Sequence, residues 1–181
     1  MNIESICKEY NTKNINYICQ KYNIRNYTIN DDDGTVDVDD NVNLCNKGLT
    51  QLPLKFGRVN GYFDCGRNHL TSLEGSPQYV EEFYCSNNEL KTLEEGPKIV
   101  LVYYSFHNNK LINFKGFPED FDGNISIFNN PVYKKLENIP VDKHNKFIYW
   151  CNEFDAITDD GKVIIERMEE VYNKLGIVYE Y

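Results

Sequence analysis

The sequence of 181 residues has little of what catalytic and metal-binding sites usually require. Its three histidines, His69, His107 and His144, are scattered, and it contains no Cys-x-x-Cys or His-x-x-x-His pair. Zinc ligands normally come at such spacings, so we expect no zinc site. No glycine-rich phosphate loop precedes a predicted helix either. We therefore expect neither enzymatic activity nor a cofactor.

Positive charge is also scarce. The chain has 19 lysines and arginines against 28 aspartates and glutamates, which gives a net charge of −9. A protein that binds the phosphate backbone needs a cationic surface, so we expect no direct binding of nucleic acid. A different possibility stays open, in which an acidic decoy mimics nucleic acid and occupies a nucleic-acid-binding protein.

Long apolar runs are missing as well. No window of 18 apolar residues is present, so the sequence predicts no membrane-spanning helix. The first residues, Met1–Ser5, have neither the basic start nor the apolar run of a secretion signal. We therefore expect a cytoplasmic protein. The hydrophobic fraction of 41% is sufficient for the packed core of one domain.

What the sequence does contain is a repeat. Each copy has two apolar residues two positions apart, then an asparagine, two more apolar residues and a proline, as in Phe83, Cys85, Asn88, Leu90, Leu93 and Pro97. The second apolar position falls at residues 44, 65, 85, 106 and 127, which are 21, 20, 21 and 21 residues apart. Five copies at so regular an interval predict a stacked repeat architecture.

The spacing within a copy predicts its local structure. Phe63 and Cys65 point to one side of an extended chain, and stacking of the copies into a parallel sheet buries that side. The asparagine amide both donates and accepts, so it satisfies backbone groups where each strand ends. We expect an internal asparagine ladder of Asn68, Asn88, Asn109 and Asn130, which Lys47 interrupts in the first copy.

The string Phe83–Pro97 resembles the short leucine-rich repeats of bacteria and bacteriophages. The resemblance implies an α/β-type solenoid of about five repeats in residues 41–140, with a helical and hairpin cap in 1–40 and a helical cap in 141–181. Members of this family are generally protein-binding modules without catalysis. The resemblance also implies a phage-encoded inhibitor or adaptor that acts on a host or host-defence protein, in the host cytoplasm.

The cysteine positions fit a reducing compartment. Cys65 and Cys85 take the place of leucine in the predicted core, where a reduced thiol packs well. Cys7 and Cys19 fall on the apolar faces of predicted helices. We therefore expect free thiols, although the chain has six cysteines, an even number.

Residues before the repeats predict two short helices within 2–24, separated at Asn11–Asn14, and then a β-hairpin. The helices either cap the solenoid or form a partner-binding hairpin of their own. The β-hairpin joins Tyr27–Ile29 to Thr35–Val38 through an acidic turn. Asp31, Asp33 and Gly34 match part of a calcium-binding loop, but position 1 would be Ile29, so a plain turn is favoured.

Residues after the repeats predict two helices. The first carries Phe147, Cys151, Phe154 and Ile157, with Trp150, the only tryptophan, in the core, and the second ends at Gly176. The tail Ile177–Tyr181 could pair as an edge strand or stay loose.

The exposed side of the predicted sheet is the best candidate for function, because tyrosines beside adaptable polar groups are typical of protein interfaces. In register, the strands put four columns on this side, the fourth being Asn46, Arg67, Asn87, Asn108 and Asn129. The alternative is that the aromatic residues only stack on one another or on the caps. We expect a monomer or weak oligomer that contacts another protein through Tyr62, Asp64, Arg67, Glu82, Tyr84, Tyr103, Ser105, His107 and Phe128.

Overall fold

The computed structural model describes residues 3–179, with side chains described for residues 11–179. Its elements are α1 (Ile3–Lys21), β1 (Tyr27–Ile29), β2 (Val36–Val38), β3 (Val42–Asn43), β4 (Phe56–Asp64), β5 (Tyr79–Tyr84), β6 (Ile99–Ser105), β7 (Asn124–Ser126), α2 (His144–Glu153) and α3 (Ile165–Leu175). Two short 3-10 helices, Pro131–Lys135 and Val141–Lys143, lie between β7 and α2.

The strands form one sheet in the order β1-β2-β4-β5-β6-β7, with β3 also beside β4. The β1–β2 pair is an antiparallel hairpin, as predicted, and the remaining pairs are parallel. Corresponding positions of the repeat lie side by side, since Phe63 pairs with Phe83 and Phe83 with Tyr104. The repeats therefore stack into a solenoid with a parallel sheet, which confirms the architecture at that level.

The central strands begin earlier than the repeat pattern predicts. Val59, Val80 and Val100 pair across β4, β5 and β6 and are buried, so each strand has an additional inward-facing half. The register shifts between the two halves, at Val59/Tyr62 and at Val80/Glu82. This irregularity absorbs the one copy of 20 residues among copies of 21, because β5 has one residue fewer between its halves.

Buried asparagines close the end of each repeat strand. The Nδ2 atom of Asn88 donates to the carbonyl oxygens of Cys65 and Cys85, both at 3.0 Å. Its Oδ1 accepts from the backbone N–H of Leu70 at 2.9 Å. Asn68, Asn109 and Asn130 bond in the same way in their own repeats. We call these four residues the inner column, and they form the predicted ladder.

The core beneath the sheet contains a row of aromatic side chains together with cysteine thiols. Phe63 stacks on Phe83 with ring centroids 5.6 Å apart, and Tyr104 meets Phe83 edge-on at 5.4 Å. Burial raises the pKa of the Cys65 and Cys85 thiols far above the usual range. The cysteines with described side chains are all free, as predicted: Cys19, Cys45, Cys65, Cys85 and Cys151.

The predicted break in the first helix is wrong, because α1 runs without interruption from Ile3 to Lys21. The segment Asn11–Asn14 contains neither proline nor glycine, so its modest helix propensity does not end a helix that packs on the core. Cys19 of α1 is fully buried. The predicted apolar stripe from Ile3 to Tyr10, which includes Cys7, lies outside the described side chains.

Helices α2 and α3 form as predicted, but α2 ends at Glu153, so Phe154 and Ile157 lie beyond it and Ile157 pairs with Val163 in an isolated β-bridge. Phe147 of α2 packs edge-on against Phe114 of the repeats, with centroids 6.2 Å apart, and against Tyr172 of α3 at 6.0 Å. Gly176 ends α3 in the left-handed conformation, with φ of 65°. Trp150 is not in the core as predicted but half-buried at its edge, where it stacks on Phe154.

The tail is described as far as Tyr179, whose ring contacts Tyr172 at 4.7 Å, and residues 176–179 form no strand. The rest of the tail lies outside the described residues.

Candidate binding surface

Three tyrosines from adjacent strands meet on the side of the sheet opposite the core. Tyr62 of β4, Tyr84 of β5 and Tyr103 of β6 alternate with buried residues, so the pleat turns them outward. The Tyr84 ring lies 6.4 Å from Tyr62 and 5.5 Å from Tyr103, measured between centroids. All three remain partly exposed. We call them the tyrosine cluster.

Two carboxylates accompany the tyrosine cluster. Glu82 pairs across the sheet with Tyr62 on one side and Tyr103 on the other, and its Oε2 accepts a hydrogen bond from the Tyr84 hydroxyl. Asp64 pairs with Tyr84, and its Oδ1 accepts from the backbone N–H of Gly66 at 2.8 Å. Burial, together with the bond and the charge of Glu82, raises the pKa of Tyr84 far above its usual range. Tyr84 therefore stays a neutral donor that holds the Glu82 carboxylate in place.

His107 lies just past the end of β6 and connects the last repeats. Its ring stacks on Phe128 at 4.4 Å, and its Nδ1 is 3.0 Å from the Ser105 hydroxyl and 3.1 Å from the Ser126 hydroxyl. Burial lowers the pKa of His107, which favours the neutral ring. Phe128 is exposed on its other side, consistent with the prediction.

Ser105 departs from the expected surface, since it is only 2% exposed. Its hydroxyl is occupied by His107, so the prediction that the Ser105 side chain is exposed is wrong. The grouping of Ser105, Ser126 and His107 was missed at the sequence level because it joins two repeats. Both hydroxyls meet the same ring nitrogen, and one of the serines is buried. The contact therefore ties neighbouring repeats together.

The fourth predicted column is not a sheet column at all. Asn46, Arg67, Asn87, Asn108 and Asn129 lie just past the strand ends, each with φ between 53° and 58°. This left-handed region favours asparagine over most other residues, which explains the composition. Asn108 donates to Asn87 at 3.0 Å and Asn129 donates to Asn108 at 2.7 Å. We call these five residues the outer column, and Arg67 is its one member without a short amide.

The acidic turn of the β-hairpin is organised by its own side chains. Asp33 accepts from the N–H and the hydroxyl of Thr35, and Asn30 accepts from the N–H of Asp32. Within the described residues, no group of three or more His, Cys, Asp or Glu side chains is arranged to hold a metal ion.

Two clefts lie away from the tyrosine cluster. One of about 570 Å³ is bordered by Ile99, Phe117 and Tyr149, and one of about 740 Å³ lies beside β7, bordered by Ser126 and Val141.

Comparison with known proteins finds no family model, no curated protein and no solved structure that matches the chain. None of the helices in residues 3–179 has the length and apolarity needed to cross a membrane. Among the described residues, the tyrosine cluster and its carboxylates form the candidate site with the most observations behind it.

Proposed function

We propose that this protein is a non-enzymatic, protein-binding module of the short leucine-rich-repeat type, and that the tyrosine cluster contacts its partner. The repeat pattern, the parallel stack and the inner column support the leucine-rich-repeat assignment. In this proposal α1 and the β-hairpin cap one end of the solenoid, and α2 and α3 cap the other. The packing of Phe147 on Phe114 supports the second cap.

The tyrosine cluster is the observation that carries the proposal. Its three rings are only partly covered, although burial of a tyrosine ring in a core is favourable. They project from a sheet whose register is fixed by buried neighbours on every strand, so they lose little conformational freedom when a partner binds. Tyrosines of this kind supply much of the binding energy at protein interfaces. Strands about 4.8 Å apart give the surface a width suited to one segment of a partner.

The biological setting is part of the proposal and comes from the resemblance alone. A phage-encoded inhibitor or adaptor would act on a host or host-defence protein in the host cytoplasm. The free thiols are compatible with a reducing compartment. A monomer suffices, because the tyrosine cluster is complete within one chain.

A double variant tests the surface directly. We expect Tyr84→Ala with Tyr103→Ala to lose the partner that the unaltered protein captures from native host lysate, identified by mass spectrometry. Thermal unfolding should change little, because both rings are partly exposed. Tyr17→Ala is the matched control, since Tyr17 is 65% exposed on α1, and it should retain the partner. Full capture by the double variant would refute the assignment of this surface.

The acidic decoy remains the second candidate, and the β-hairpin is the observation that favours it. Asp31, Asp32, Asp33 and Asp39 are exposed at that end of the molecule. Binding of a basic nucleic-acid site through these carboxylates would weaken steeply between low and high salt, and replacing them with asparagine would abolish it. An interface centred on the tyrosine cluster would survive replacement of these aspartates.

A further inference from the structure

The carboxylates of the tyrosine cluster have no cationic partner within the described structure. Ion pairs in residues 11–179 join other carboxylates, such as Glu89 to Lys110 at 2.8 Å, and none involves Asp64 or Glu82. Glu82 is nonetheless held in position by the Tyr84 hydroxyl. The surface thus presents fixed negative charge beside aromatic rings, and no ion pair to a described residue offsets it.

The ring faces of the cluster are also unoccupied by cations. Elsewhere in the described molecule, Lys21 lies over Tyr22, Arg58 over Tyr79 and Lys174 over Trp150, with the Arg58 guanidinium 4.1 Å from the ring centroid. No such contact is found at Tyr62, Tyr84 or Tyr103 among the described residues. A cation placed over an aromatic face beside a carboxylate gains from both interactions.

We propose that the tyrosine cluster binds an arginine side chain on a basic segment of a protein partner. The inference rests on the proposed function and specifies the chemistry of the partner. The tilted Tyr84 and Tyr103 rings offer faces for a planar guanidinium, and Glu82 and Asp64 accept its N–H donors at the rim. Arginine suits this arrangement better than lysine, because its planar fork can stack and donate at the same time. The net charge of −9 favours a basic segment and disfavours a nucleic-acid phosphate.

A pair of synthetic peptides tests this chemistry with the full chain. The first has two arginines in a background of serine and glycine, and the second replaces each arginine with citrulline, which keeps the shape and removes the charge. We expect the arginine peptide to bind about tenfold more tightly than the citrulline peptide. The shifts of the tyrosine ring resonances in NMR spectra measure the binding. Glu82→Gln, which retains an acceptor for Tyr84, should weaken binding of the arginine peptide about fivefold. Glu166→Gln on α3 removes the same charge elsewhere and should leave binding unchanged.

Equal affinity for the two peptides, or unaltered binding by Glu82→Gln, would overturn the inference. So would the absence of any shift of the tyrosine resonances at roughly 5 mM arginine peptide, since a useful contact gives at least millimolar affinity. These outcomes are separate from the test of the proposed function. If the double tyrosine variant loses the native partner while Glu82→Gln keeps it, the binding surface stands and only its arginine specificity is wrong.

Discussion

The inner and outer columns contain the same residue type for different physical reasons. Inner asparagines such as Asn88 are buried and bond only to the backbone, where each amide joins two repeats. Outer asparagines such as Asn87 lie at the surface in the left-handed conformation and bond mainly to one another. The first set is chosen for its donors and acceptors, and the second for the backbone conformation that it tolerates.

The difference explains which column accepts substitution. Arg67 occupies the outer column with φ of 54°, which costs some strain but leaves no buried group unpaired. An equivalent change at Asn88 in the inner column would leave a buried backbone N–H without an acceptor and would remove one of two donors from each carbonyl that the amide bonds. Only the first repeat departs from the inner pattern, with the exposed Lys47 in place of asparagine.

The largest effect is expected from Asn88→Ala in the inner column. It leaves the buried Leu70 N–H without an acceptor and removes one of the two asparagine donors from each of the Cys65 and Cys85 carbonyls. We therefore expect a loss of about 3–5 kcal/mol in the free energy of unfolding. Urea denaturation followed by circular dichroism measures it. A loss below that of an outer-column variant would contradict the distinction between the columns.

Alkaline pH should also lower the free energy of unfolding, through the buried cysteine thiols of the core. Burial holds the pKa of the Cys65, Cys85 and Cys151 thiols above the usual value of 9.0, so these groups stay protonated in the folded protein while the unfolded chain releases their protons. Stability is then complete below about pH 8.5 and falls as pH rises towards the folded-state pKa, by about 2 kcal/mol between pH 8 and 9.5. Urea midpoints under reducing conditions measure the fall.

The Cys85→Ala variant serves as the control for that titration. It lowers stability at both pH values, because it leaves a cavity, but it should reduce the fall between them by about a third. A pH dependence equal to that of the unaltered protein would show that the buried thiols are not its source.

A smaller loss is expected from Asn87→Ala in the outer column, about 1 kcal/mol from left-handed strain and one lost surface hydrogen bond. Asn87→Gly separates the two causes, since glycine adopts positive φ freely. If strain dominates, thermal unfolding should show the glycine variant close to the unaltered protein. A glycine variant as unstable as the alanine variant would assign the loss to the hydrogen bond.

The smallest effect is a gain. Arg67→Asn restores the preferred residue at a left-handed position and should stabilise the protein by about 0.5 kcal/mol, measured as a higher thermal midpoint. Arg67→Gln, which lacks the preference for positive φ, should show no gain. Equal gains in both variants would attribute the effect to the loss of charge.

Part of the fold was predictable because the same residue pattern recurs in each copy of the repeat. The strand of each copy, the inner column and the β-hairpin depend on local spacing and turn residues, which a single repeat displays. The early halves of β4, β5 and β6 were not predicted, because Val59, Val80 and Val100 fall outside the repeated template and pair only once the copies stack. The continuous helix α1 was missed for a similar reason, since packing on the core outweighs a weak local break.

The sequence by itself determined the repeat length, the buried positions and the outward placement of the tyrosines, because a strand alternates sides whatever lies beside it. Only the tertiary structure decided which side chains meet. Tyr84 reaches Tyr62 and Tyr103, and His107 reaches Ser126, through registers that arise between strands. The tertiary structure also decided the left-handed backbone conformation of the outer column, because the conformation past a strand end depends on how the next turn enters the stack.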